Sequence, residues 1–220
     1  MNNFLQNRER INLYTNMLQA RGLTSHGLSC KDFDIGEIVA HSAADIKKCT
    51  AFLDLGADGS FILQNVAKLN QFARKVGIDL LLEDKMENGI EYLKGDLMHT
   101  PFADESFDFI TCLSVIEHQV DFVAFAKEVS RLLMPGGKLI VSFDYWHPRK
   151  GLGARKLYGL NWEILDRQEA ENLIKDCKAE GLELTSDVDW TLKDQVINGS
   201  YCAPFPDAAY TFGIFEFVKQ

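Results

Sequence analysis

The sequence predicts an α/β fold: a seven-stranded, mostly parallel sheet whose last strand runs antiparallel, with helices on both faces and a helical cap at the N-terminus. Three observations lead there. From residue 50 onward, short apolar runs alternate with amphipathic stretches, the pattern of a parallel sheet wound through helices. The last two apolar runs have no helix between them, which implies an antiparallel pair at the end of the sheet. The first 48 residues are polar with a helical period, so a cap (residues 1–48) is set against a main region (residues 49–220) within one structural domain.

The elements follow in order. Within residues 4–20, Leu5, Ile11, Leu13, Tyr14, Met17 and Leu18 form an imperfect helical stripe, and a second helix is expected over residues 35–46. A strand at residues 51–55 runs into a glycine-containing turn. Ile62, Leu63, Val66, Leu69 and Ala73 then place a helix over residues 61–75. Strands are expected at residues 76–80, 90–94 and 107–113. Asp121 is a good N-cap for a helix through Leu133, stopped by Pro135, Gly136 and Gly137. A strand over residues 138–143 follows. Asp166 and Glu169 form a capping-box start for a helix ending at Gly181, and residues 182–190 and 210–218 are the closing strands.

Composition narrows the function. Of 220 residues, 46% are hydrophobic and 25% charged, with no low-complexity tract, so a folded domain with a substantial core is expected. A net charge of -9 repels a phosphate backbone, and nucleic acid is not an expected partner. The five cysteines contain no C-x-x-C pair and suit reduced thiols in a cytoplasm better than disulfides or zinc. No apolar signal region accompanies Arg8, Glu9 and Arg10. The longest uncharged apolar run, residues 109–116, is too short for a bilayer, so no membrane partner is expected. Oligomeric state is not legible.

In parallel sheets, ligands bind beyond the carboxyl ends of the strands. The first such end carries Asp54, Gly56, Ala57, Asp58, Gly59 and Ser60, a turn whose glycines let a ligand approach the backbone. The second carries Asp79, followed by Leu80, where an acid can accept hydrogen bonds from ribose hydroxyls. The third carries Asp96, Leu97 and Met98, a carboxylate for an adenine amino group beside apolar side chains for its ring. Singly, each acid reads more readily as a solvated loop residue. Three at three successive strand ends are harder to dismiss.

The run from Asp96 to His118, with Pro101, Phe102, Asp104, Ser106, Phe107, Asp108, Ser114 and Glu117 in order, continues into Glu128 to Leu139 with its Pro135-Gly136-Gly137. It resembles class I S-adenosylmethionine-dependent methyltransferases, in particular the ubiquinone-biosynthesis-type group. The resemblance covers roughly residues 50 to 143 and implies a Rossmann-like fold with S-adenosylmethionine as methyl donor and S-adenosylhomocysteine as product. By that resemblance the turn from Asp54 to Ser60 faces the methionine part, Asp79 the ribose, and Asp96 with Leu97 the adenine. Leu113 and Ser114 form the floor beside the sulfonium, and His118 stands near the substrate mouth. One departure is plain: the family's D-x-G-x-G-x-G turn has Asp58 and Ser60 at its second and third glycine positions. It motivates an alternative reading, a catalytically silent binding or partner protein on the same fold.

Methyl transfer from a sulfonium is an in-line displacement in which positioning does much of the work, so neither a nucleophile nor a metal site is required. The expected acceptor is a small molecule, with an oxygen acceptor favoured and His147 or His118 as candidate bases; Asp144 is the other candidate. Arg149, Lys150, Arg155 and Lys156, with Trp146 and Tyr158, suggest either a solvated loop or a lid for an anionic acceptor. The loop at residues 198–209, with Tyr201 and Phe205, is a further candidate for acceptor choice. A nicotinamide dehydrogenase lacks its G-x-G-x-x-G here, and a nucleic-acid amino-methylase lacks its Pro-Pro-aromatic motif at residues 113–116.

Overall fold

In the computed structural model, which describes residues 1–26, 29–149 and 155–220, strands and helices alternate from residue 51 onward. The chain runs β1 (Asn3–Phe4), α1 (Arg8–Ala20), a 3-10 turn at residues 29–31, α2 (Asp32–Ile46), β2 (Ala51–Leu55), α3 (Ile62–Leu69), β3 (Arg74–Asp79), β4 (Lys85–Glu87), β5 (Ile90–Lys94) and β6 (Phe107–Leu113). It continues through α4 (Phe122–Leu132), β7 (Leu133–Tyr145), β8 (Arg155–Leu157), β9 (Leu160–Trp162), α5 (Arg167–Ala179), β10 (Leu182–Leu184), β11 (Ile197–Asn198) and β12 (Ala209–Lys219).

The main sheet has the order β1-β12-β7-β6-β2-β3-β5-β4, and β10 and β11 also pair with β12. Its centre, β7-β6-β2-β3-β5, is parallel. The long β12 closes it antiparallel to β7, as expected of the last strand. The sheet holds ten strands rather than seven, because β1, β4 and β11 add short pairings at its margins.

Alternation along the strands divides the core in two. Phe52, Phe109, Ile140 and Phe212 point to the face covered by α1, α2 and α3, where the Phe52 and Phe109 rings stack with centroids 5.0 Å apart. Leu53, Leu55, Ile110, Leu139, Val141 and Phe215 point to the face covered by α4 and α5. Both faces are thus apolar, and β2 is buried along its whole length. On α2, a side chain at Gly36 would run into Tyr14, so glycine there lets α1 pack closely. Among the described residues, no helix is long and apolar enough to cross a membrane.

Several boundaries differ from the sequence-based reading. The helix expected over residues 61–75 ends at Leu69 because Asn70 turns the chain. Its amide donates to the carbonyls of Ile46 and Cys49, each at 2.9 Å, while its Oδ1 accepts from the N–H of Phe72 and Ala73. Residues 135–137 lie inside β7 instead of before it. The ladder jumps from Phe107↔Leu133 to Phe109↔Lys138, leaving the Pro-Gly-Gly step outside the pairing. The strand expected over residues 182–190 stops at Leu184. Two short hairpins fall outside the sequence-based expectations: Asn88-Gly89 joins β4 to β5 and Tyr158-Gly159 joins β8 to β9. All four turn residues have positive φ, as two-residue type I′ turns require. The caps are as expected, with Asp121 accepting from Val123 and Ala124, and Asp166 and Glu169 bonding reciprocally.

Candidate active site

The chain leaves β2 on one side towards β3 and β5 and returns on the other side as β6 and β7. The carboxyl ends of β2 and β6 therefore flank the switch point where ligands bind in such sheets. A cavity of about 1070 Å³ opens there.

Its first wall is the turn after β2. Gly56 (φ +80°) and Gly59 (φ +70°) take the left-handed positions, and neither Asp58 nor Ser60 has positive φ. The departures from the family turn thus fall where no glycine conformation is needed. Gly56 N–H donates to the Ile78 carbonyl at 2.8 Å, and a side chain at Gly56 would run into Val115. Asp79 closes the turn from the next strand, accepting from the N–H of Leu81 at 2.8 Å and of Asp58 at 3.3 Å. Asp96 accepts from the Met98 N–H at 2.8 Å and remains partly exposed.

Gly56, Asp58, Gly59, Ser60, Asp79, Leu80, Asp96, Leu97, Met98, Leu113, Ser114 and His118 all line this one cavity. Asp54 and Ala57 stand behind it, buried. Asp54 Oδ1 accepts from Thr111 Oγ1 at 2.7 Å while Oδ2 is unpartnered. Burial, opposed by the Thr111 bond, pushes its carboxyl up to about 7. A carboxyl raised in the fold stabilises it below the ordinary carboxylate range, and that contribution is lost as pH rises towards 7. Asp54→Asn, which keeps the bond to Thr111, is expected to flatten this dependence. Between pH 5 and pH 8 the wild type should lose on the order of 1–4 kcal/mol more than the variant, measured by denaturation of the ligand-free protein at both pH values.

Beyond Ser114 the cavity holds a charged cluster of which the sequence reading named only Asp144 as a functional candidate. Lys31, from the turn before α2, donates to Ser114 Oγ at 2.7 Å and lies 4.4 Å from the Phe212 ring centroid. Burial lowers its pKa, but the carboxyls of Asp144, Asp34 and Glu117 outweigh this and hold it above the usual lysine value. Asp34 is pushed by burial to about 6 against the pull of Lys31. Glu117 is lifted well above the carboxylate range, first by burial and then by Asp144. Asp144 accepts from the Trp162 indole N–H at 2.8 Å and is also raised by burial. His118 is driven down to about 4 by burial and by Lys31, so its ring is neutral at pH 7 and a weak base. Lys31 and Asp34 had no sequence signal: they sit in the turn before α2 and in its first turn, and reach the site only through packing.

The remaining candidates lie elsewhere. His147 is exposed and does not line the cavity; Asp144, still within β7, takes the inward position. Arg149 bonds Glu163 at 2.7 Å and Glu169 at 2.8 Å, and Arg155 bonds Asp207 at 2.6 Å and packs on Phe205. Both arginines are therefore engaged by local acids. Lys150 and the following loop, residues 151–154, lie outside the described residues. Trp146 is half-buried away from the cavity, whereas Tyr158 lines it beside His118. From the loop at residues 198–209, Cys202, Ala203 and Pro204 line the cavity, while Tyr201 lies under Arg8.

The fold is the one shared by solved S-adenosylmethionine-dependent methyltransferases. Residues 53–141 match the family model described as a methyltransferase domain. The chain is 29% identical over 153 residues to ubiquinone/menaquinone biosynthesis C-methyltransferases UbiE of Shewanella baltica and Shewanella putrefaciens, a match covering 67% of this chain and 58% of each relative. It therefore spans somewhat over half the length of the curated relatives it matches. Among solved structures, geranyl diphosphate C-methyltransferase from Streptomyces coelicolor superposes with a TM-score of 0.57 at 13% identity, covering 86% of this chain and 84% of that one. An S-adenosylmethionine-dependent methyltransferase from Mesorhizobium loti gives 0.55 at 16% identity, covering 82% and 100%.

Proposed function

We propose that this chain transfers the methyl group of S-adenosylmethionine to a small-molecule acceptor held beyond Ser114 in the same cavity. One observation carries the reading: the Gly56–Gly59 turn, Asp79 and Asp96 meet on a single cavity that is also lined by Ser114, Glu117, Asp144, Trp162 and Tyr210. When bound, S-adenosylmethionine supplies a methyl group already activated on a sulfonium. Asp79 would hold the ribose hydroxyls and Asp96, with Leu97 and Met98, the adenine. The glycine backbone of the Gly56–Gly59 turn would take the methionine part, and Lys31 offers a cation for its carboxylate. In this reading residues 1–48 form a cap that contributes Lys31, Asp34 and Ile35 to the wall.

For an oxygen acceptor, the proton would pass to a carboxyl of the Asp34, Glu117 and Asp144 cluster, whose raised proton affinities suit a base near neutrality better than His147 or His118. An anionic acceptor draws little support, because Arg149 and Arg155 are engaged away from the cavity.

Calorimetry with S-adenosylhomocysteine tests the reading. Wild-type protein is expected to bind it, and Asp79→Ala to bind it roughly ten- to a hundredfold more weakly with little change in Tm. No binding of either S-adenosylmethionine or S-adenosylhomocysteine would sink the proposal. Binding without turnover on any acceptor would favour the silent partner protein instead.

A further inference from the structure

Past Ser114 the cavity wall carries more negative charge than the protein neutralises. Asp34 (3% exposed), Glu117 (2%) and Asp144 (3%) converge there from α2, the loop after β6 and the end of β7. Each keeps one buried oxygen with no hydrogen-bond partner: Asp34 Oδ1, Glu117 Oε2 and Asp144 Oδ1. Among the described residues lining the cavity, Lys31 is the sole lysine or arginine, and it is already committed to Ser114 Oγ. Three carboxyls against one ammonium leave an excess of two negative charges when all are ionised, and buried carboxylates are stable only when paired and hydrogen-bonded.

The chemistry of the missing partner follows by elimination. A metal ion does not fit: among the described residues, no three His, Cys, Asp or Glu side chains are placed to share one. An anion is repelled, since Asp58, Asp79 and Asp96 line the same cavity and add to the field of the inner three. A neutral polyol would supply donors but no charge. A protonated amine supplies both, with several N–H donors for several orphaned oxygens. Trp162 and Tyr210 line the same end, and aromatic surfaces favour a cation and its apolar body.

We propose that this inner compartment is a recognition subsite for a protonated amine on a small apolar acceptor, held by Asp34, Glu117 and Asp144. The methyl group goes to another nucleophilic atom of that acceptor, or to the amine nitrogen only after its proton has passed to one of these carboxylates. The inference rests on the proposed methyl transfer and concerns what recognises the acceptor. It also accounts for three buried carboxyl oxygens left without a hydrogen-bond partner: they are kept for the ligand, at some expense to the free protein.

The test is calorimetry on protein saturated with S-adenosylhomocysteine, using three probes of one size: phenethylamine, 2-phenylethanol and phenylacetate. The amine is expected to bind roughly tenfold or more tightly than the alcohol, with the carboxylate weakest. Glu117→Gln and Asp144→Asn should each bring the amine down towards the alcohol while leaving S-adenosylhomocysteine affinity within about twofold. The alcohol or carboxylate matching the amine, or no amine binding, overturns the proposal. So does loss of S-adenosylhomocysteine affinity in the variants, because the acids would then serve the cofactor's own ammonium. The wild-type comparison decides even where a variant fails to fold. Absence of S-adenosylhomocysteine binding by the wild type is a different failure, read first in the same titration, and removes the proposed function together with this subsite.

Discussion

Replacing Gly56 by alanine is expected to destabilise the ligand-free protein by about 2–4 kcal/mol and to weaken S-adenosylhomocysteine binding at least tenfold. Two separate effects add. Gly56 sits at φ +80°, a region that L side chains enter only with strain, and its new methyl group would meet the Val115 side chain. Val115 itself lines the cavity, so relief by moving it would narrow the pocket beside Ser114. The two effects separate in a double variant. Val115→Ala in the Gly56→Ala background should recover the overlap part of the stability loss and leave the backbone part, as read by chemical denaturation of all four proteins.

Lys31→Met is the second change with a large expected effect. It removes the cation that Asp34, Glu117 and Asp144 all feel, so their carboxyls rise further above the ordinary range. Carboxyls raised in the fold lose their stabilising contribution as pH rises, so the variant's stability should fall more steeply from pH 5 to pH 8 than the wild type's. At pH 8 the difference is expected to reach roughly 3–5 kcal/mol, the scale of removing one partner from a buried ion pair, and to shrink at pH 5 where the acids hold protons. Equal losses at both pH values would mean that Lys31 acts through packing alone. Denaturation curves at the two pH values decide between them.

What could be read from the sequence follows a physical division. The strand-end acids Asp79 and Asp96 were legible because a parallel sheet gathers its strand ends on one edge whatever the loops do. The two-layered core was legible for the same reason, since β2, β3 and β6 read as apolar runs with caps and turns between them. The end of α3 was misplaced because the helical stripe through Ala73 is genuine as a pattern, whereas the side-chain bonds of Asn70 that divert the chain join residues 21 to 24 positions apart. Asn88-Gly89 carried a clear hairpin signal.

The inner compartment was the least legible. Lys31 and Asp34 belong to the start of α2, whose apolar pattern shows only that it covers a sheet, and their meeting with Glu117 and Asp144 is a tertiary event. The basic segment was ambiguous for the converse reason. Arg149 and Arg155 lie in a stretch without acids, yet their partners stand 14, 20 and 52 residues away at Glu163, Glu169 and Asp207. Charge counted along the chain suggested a solvated loop or a lid for an anionic acceptor, whereas the described Lys, Arg, Asp and Glu residues that line the cavity are six acids and Lys31.

The most direct measurement of the central claim is a crystal structure of the protein with S-adenosylhomocysteine. Density is expected in the cavity at the ends of β2 and β6, with the ribose hydroxyls on Asp79, the adenine against Asp96, Leu97 and Met98, and the sulfur beside Ser114. Nucleoside density among Asp144, Trp162 and Tyr210, or density anywhere outside this cavity, would contradict it.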